Sequence, residues 1–322
     1  MKPRRGVALL AALWLVVAIA AVALQFSLEA RERRTIGILA SERGAQRGLA
    51  LGALALVRSE IDYSFRSVPT NVNQNSAINN LRSVDPLLDV AQRYTEPVLV
   101  DSIPVEVGAV DLGARLNLNQ ASEAQLQAFF SFLLKDYSLS THLAQAILDW
   151  RDADTLPRPS GAEVAAYLKA EQLAIPTNGL FRDVDDLRNV LGMTPEIFAE
   201  VSPYLTVRGD GTINLNTAPV PVLRAIPGMT DQLVNTIVMM RSQGRRISGT
   251  DAILQAMGGR AGGGGRGGNG QQNLFPGGRV GVQTTSLEMT FTARSGPQSS
   301  PTKLIAILRR GEGGVAVANL IW

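Results

Sequence analysis

The sequence predicts an α+β protein: a long N-terminal helix packed on a small antiparallel sheet, with a large helical domain inserted into that sheet. Three observations predict it. An uncharged apolar run near the N-terminus passes directly into a helical hydrophobic repeat. Stretches rich in β-branched residues flank a long central block on both sides, and that central block reads as mostly helical.

The elements follow in order. Val7 to Leu24 (VALLAALWLVVAIAAVAL) holds no charged or strongly polar residue, about enough to span a bilayer as a helix. Gln25 to Leu28 extend it at the interface, so the span is assigned to residues 7–28. Ala50, Ala53, Leu54, Val57 and Ile61 then recur at helical spacing, which continues the helix over 29–66. Ser67 to Asn80 is polar and rich in Asn, and reads as a loop. Val98, Val100, Ile103, Val105, Val107 and Val110 predict one or two strands within Pro97 to Leu112. Residues 67–116 are therefore loop and first strands. A helical domain follows over 117–257, divided at about 117–207 and 208–257. Gly258 to Gly270 (GGRAGGGGRGGNG) predicts a flexible loop within 258–279. It lacks the Lys and Ser/Thr that a phosphate-cradling loop needs. In 280–322, Ser286–Arg294, Lys303–Arg310 and Val315–Trp322 are separated by turn residues and predict a meander completing the sheet.

Composition narrows the function classes. With no cysteine, neither a disulfide framework nor a thiolate metal site is possible. The net charge of +3 resides entirely in Lys2, Arg4 and Arg5; without them the remaining basic residues balance the 28 acidic ones. Such a chain lacks the broad basic footprint of a nucleic-acid binder, and none is expected as a partner. Lys2, Arg4 and Arg5 before the apolar run place the N-terminus in the cytoplasm and everything after Glu29 outside.

Three readings of the N-terminus are open. Ala21-Val22-Ala23 offers an end like that of a secretory signal peptide, and a plain signal anchor is a second reading. Arg4-Arg5-Gly6 followed by Val7-Ala8-Leu9-Leu10 instead resembles a type IV prepilin leader, residues 1–6, cut between Gly6 and Val7. The long amphipathic continuation favours this third reading. Counting from Val7, the fifth residue is Ala11, where most pilins carry a glutamate that pairs inside the filament. Its loss resembles general secretion pathway protein K, a minor pseudopilin of type II secretion. The motifs ILDWRDAD, LRNVLGMT and INLNTAP…LRAIPGM carry that resemblance along nearly the whole chain. The resemblance implies a pilin-like fold, cleavage by prepilin peptidase, methylation of Val7 and anchorage in the bacterial inner membrane with the bulk periplasmic. It also implies a place at the filament tip beside minor pseudopilins I and J.

The central block contains repeats. Asp185 to Thr194 is echoed by Pro221 to Thr230, each placing Leu-Arg before Gly-Met-Thr, and RLNLNQ and INLNTA share an Asn-x-Asn entry. These resemble SAM-like or helix-hairpin-helix modules. Each hairpin has a single glycine, Gly192 or Gly228, and Arg182–Asp186 (RDVDD) would repel phosphate. Gly192 and Gly228 are thus expected to close helical turns, and Asp183 with Asp186 to cap the following helix.

The best ligand cluster is Asp149, Asp152 and Asp154, followed by Glu163. Asp149 is expected on the last turn of a helix, the other three on the loop beyond and its exit. Hard oxygen ligands so placed can hold Ca²⁺, and the family resemblance implies calcium in the helical domain. The alternative is a solvated acidic loop tied to Arg151 or Arg158. His142, the sole histidine, stands in no metal or nucleophile motif, and no catalytic signature occurs. The chain reads as an assembly protein rather than an enzyme. The rival is a membrane-tethered helix-hairpin-helix protein for DNA uptake, or a minor type IV pilin.

Overall fold

The computed structural model describes residues 5–67, 85–94, 96–257, 275, 279–296 and 299–322. The Gly-rich stretch 258–270 and nearly all of the polar stretch 67–80 lie outside them.

Helix α1 (Arg5–Arg66) runs unbroken for 62 residues, about 93 Å at the usual rise. Its first half exposes apolar side chains such as Leu13, Trp14, Ile19 and Phe26. Within Ala12–Arg66 it is long and apolar enough to cross a membrane. Its second half is amphipathic. Ala50, Ala53, Leu54, Val57 and Ile61 are buried, and these are the positions whose spacing predicts that face.

That face packs on a five-stranded antiparallel sheet of order β1-β2-β7-β8-β9. The strands are β1 (Val98–Val100), β2 (Ile103–Asp111), β7 (Ser286–Ala293), β8 (Thr302–Gly311) and β9 (Gly314–Ile321). Leu287, Met289, Phe291 and Ala293 alternate inward along β7 and join Leu304, Ala306 and Leu308 of β8 against the helix. β1 and β2 join through Asp101 and Ser102, both at positive φ, the twist a two-residue hairpin requires. A short helix α2 (Pro86–Arg93) buries Leu87, Leu88 and Val90. No sequence signal predicts it, because eight residues give too little period to register.

The helical domain enters after β2 and leaves before β7. It contains α3 (Glu123–Leu134), α4 (Tyr137–Arg151), α5 (Val164–Lys169), α6 (Pro195–Val201), α7 (Val220–Arg224), α8 (Asp231–Ser242) and α9 (Thr250–Ala256). Its core is separate from that of the sheet and is built around Phe129, Phe130, Ile147, Trp150, Leu187 and Ile237. Two short parallel ladders bind it: β3 (Leu116–Asn117) to β4 (Leu205–Thr206), and β5 (Ile213–Asn214) to β6 (Val280–Gly281). The last pairing corrects a boundary. Residues 280–281, read with the C-terminal strands, belong to the helical domain, and the large sheet resumes at Ser286.

The repeats have a structural counterpart. Asn119 donates to the carbonyls of Phe181 and Val207 and accepts from the Phe181 N–H. Asn216 does the same with Ile247 and Val282. Each asparagine therefore clamps the two returning segments of its own half. Gly192 and Gly228 both lie at φ above +80°. Thr194 and Thr230 each accept the backbone N–H three residues on and cap the next helix.

Candidate functional site

The acidic residues sit where the chain leaves α4 on a long excursion, residues 152–180, before returning at Phe181. Asp149 is fully buried on the last turn of α4. Its Oδ1 accepts from Arg158 Nη1 at 2.5 Å and its Oδ2 from the Arg158 backbone N–H at 3.2 Å. A Cβ on Gly161 would stand 2.0 Å from the same Oδ2, so glycine is what lets the loop fold over this carboxylate. Arg158 Nη1 also reaches Asp152 Oδ2 at 2.6 Å. Arg151 turns the other way, donating to the carbonyls of Leu118 and Ala121. Of the two arginines considered from the sequence, Arg158 is the partner.

Asp152, Asp154 and Glu163 converge, with one oxygen of each lying within 4.8 Å of the others. Asp149 is not in this group; its oxygens face Arg158. The group is poor in donors. Asp152 Oδ1, both oxygens of Glu163 and Oδ1 of Asn178 are buried without a hydrogen-bond partner among the described residues. Asn178, which no sequence signal singles out, donates its Nδ2 to the Asp154 carbonyl at 2.7 Å. Burial, followed by Asp149, Asp152 and Asp154, pushes the Glu163 carboxyl above its ordinary value. Buried acceptors without donors are costly, and a cation shared by the three carboxylates would offset that cost at Asp152 and Glu163. Oxygens on opposite sides of a Ca²⁺ ion lie about 4.6–5.2 Å apart and neighbouring ones closer, so three oxygens within 4.8 Å of one another could share one ion.

Gly6, Val7 and Ala11 all fall in the opening turns of α1. His142 Nδ1 lies 2.7 Å from the Ser160 carbonyl and ties α4 to the excursion. The missing Cβ of Gly192 faces the His142 ring at 2.9 Å, so this glycine serves close packing of the hairpin on α4. Asp183 and Asp186 form a reciprocal cap on Val184–Asn189, a 3₁₀ helix rather than an α-helix.

A membrane-length helix that continues into the face of an antiparallel sheet resembles the pilin-like arrangement, here with a helical domain between the second and third large strands. Residues 114–210 match the family model of type II secretion system protein K. The type II secretion system protein K of Pseudomonas aeruginosa is 29% identical over 173 residues, 49% of this chain and 52% of that protein. That of Klebsiella pneumoniae is 31% identical over 74 residues, 23% of each. The aligned region thus spans about half the length of the first relative and less of the second. Among solved structures, one chain of the GspK–GspI–GspJ complex from enterotoxigenic Escherichia coli superposes with a TM-score of 0.63. That likeness covers 87% of this chain and 96% of that one at 17% identity, and carries the fold. The resemblance to general secretion pathway protein K is borne out.

Proposed function

We propose that this chain is a minor pseudopilin of a type II secretion system, anchored in the bacterial inner membrane by residues 7–28 with its bulk in the periplasm. The observation that carries the reading is the protein K match lying inside a pilin-like frame. Prepilin peptidase cuts between Gly6 and Val7, and Val7 is then methylated. The subunit helps to initiate or cap the tip of the pseudopilus, with minor pseudopilins I and J as neighbours. Ala11 supports the tip position, since a subunit without a carboxylate there offers no partner to the amine of a neighbour. The bulky insertion supports it too, because a subunit stacked above would have to clear it. The paired asparagine clamps and glycine turns support two SAM-like modules in the insertion.

Asp152, Asp154 and Glu163, with Asn178 as a further oxygen, would hold a structural Ca²⁺ that neutralises the excursion and pins its start to its end. Asp149 positions this group through Arg158.

The test is the mature N-terminus, determined by mass spectrometry on protein purified from its own membrane. A chain starting at methylated Val7 is expected. A start near Leu24, or an intact Met1, would remove the pseudopilin reading and bring forward the tethered DNA-binding alternative.

A further inference from the structure

The two edges of the five-stranded sheet are built differently. β1 has three residues, follows Pro97 and ends at Asp101, features that blunt an edge. β9 has eight, GVAVANLI, with neither a charge nor a proline. An edge of that length without charge or proline is a template for another strand over the part that precedes its register shift.

The backbone of β9 presents its bonding groups outward. The Val315 N–H donates to Asp62 Oδ1 of α1 at 3.0 Å instead of to β8. Antiparallel strands alternate residues that bond across the ladder with residues whose N–H and C=O face away. Val317, two residues on and before the register shift opposite Ile307/Leu308, therefore faces away as well. Beside it runs an open groove of about 510 Å³, lined by Leu51, Ala55, Arg58, Tyr63 and Arg66 of α1 and by Val317. The groove mixes apolar side chains with polar ones, Ser59 and Asp62 among them, and carries two arginines against one acid. Asp62 is engaged by Val315 and lies 3.8 Å from Arg58, while Arg66 has no ion pair among the described residues.

We propose that β9 and this groove receive an extended strand from a neighbouring pilin-like subunit. That strand would supply backbone bonds to Val317, apolar side chains to the groove and a carboxylate to Arg66. The proposal rests on the filament reading above. A second copy pairing edge to edge through its own β9 fits less well, because β9 has no acid to meet the arginine.

The test uses the full-length chain in its own membrane, with benzoylphenylalanine replacing the exposed Ala318, co-expressed with the host's subunits similar to GspI and GspJ. Irradiation is expected to give an adduct to an acidic, extended segment of one of them. Val317→Pro removes the outward donor and leaves the β8 ladder intact; it should cut the adduct about ten-fold, the worth of one backbone hydrogen bond. Arg66→Glu, at an exposed position that does not threaten folding, should do the same. An adduct insensitive to both variants, or an adduct to a second copy, overturns the proposal. Absence of an adduct while both subunits still co-purify overturns it and leaves the filament reading standing. Failure of the unsubstituted chain to co-purify with either subunit overturns both.

Discussion

Tyr167 shows how one side chain fastens the acidic excursion to the body of its domain. The residue is fully buried on α5, its ring 6.0 Å from that of Trp150, and its hydroxyl accepts the Leu191 N–H at 2.9 Å. Burial pushes the hydroxyl up to about 12, with the Leu191 bond pulling down and Asp149 and Glu163 adding to the rise. Because the folded value exceeds the ordinary 10.0, the folded state holds this proton more tightly than the unfolded one. Its contribution is complete below pH 10 and is lost as the pH rises through the folded value. Tyr167→Phe leaves the Leu191 N–H without its acceptor and should cost about 1–3 kcal/mol. Thermal melts at neutral pH check the cost. Melts at alkaline pH check the sign: the stability loss of the parent between about pH 10 and 12 should flatten in the variant. Equal midpoints and equal slopes would show that the hydroxyl contributes nothing.

At the scale of elements, the proposed ion would act on the excursion, whose start and end meet at Asp152, Asp154 and Glu163. A cation at about 100 times its Kd adds ~2.7 kcal/mol to the folded state, or roughly 5–10 °C in melting temperature for a domain of this size. EDTA should therefore lower the melting temperature of the full-length protein in detergent, and added Ca²⁺ should restore it. Asp152→Asn with Asp154→Asn should abolish that response, and Asn178→Ala should weaken it. A melting temperature indifferent to EDTA would remove the calcium reading. The elements themselves were largely legible in the sequence, since period and capping are local properties. The α1 repeat at Ala50 to Ile61, the Asp183–Asp186 cap and the three C-terminal strands each lie within a few consecutive turns or residues. The site was legible only in part. Asp149, Asp152, Asp154 and Glu163 are alike as sequence, and only the fold separates the first, both of whose oxygens Arg158 takes, from the other three. Asn178 joins through a loop closed from 24 residues away, and no spacing rule reaches that far. The pairing of β5 with β6 was hidden for the same reason.

The whole molecule depends on how an independent helical core is bolted into a sheet that supplies its entry and exit. The bolt is a pair of buried carboxylates. Asp111, the last residue of β2, accepts from Gly113 N–H at the entry, from Asn214 Nδ2 at 2.7 Å and Thr217 Oγ1 at 2.6 Å inside the insertion, and from Thr284 Oγ1 at 3.2 Å at the exit. Asp85, just before α2, accepts the Thr284 N–H at 2.7 Å and pairs with Arg310 of β8. Arg310 in turn donates to the Thr284 carbonyl at 2.8 Å. Farther along the seam Arg208 reaches Glu288 of β7 at 2.9 Å. Since the two hydrophobic cores are separate, these polar contacts carry much of the coupling between them. Asp111→Ala strands several buried donors at once and should cost about 2–5 kcal/mol, at the level of a lost buried charged partner. Two units with their own cores can unfold separately once uncoupled. Calorimetry of the full-length chain in detergent should then show one transition in the parent and two in the variant. A single transition at an unchanged temperature would mean that the sheet and the insertion are joined by something other than this carboxylate.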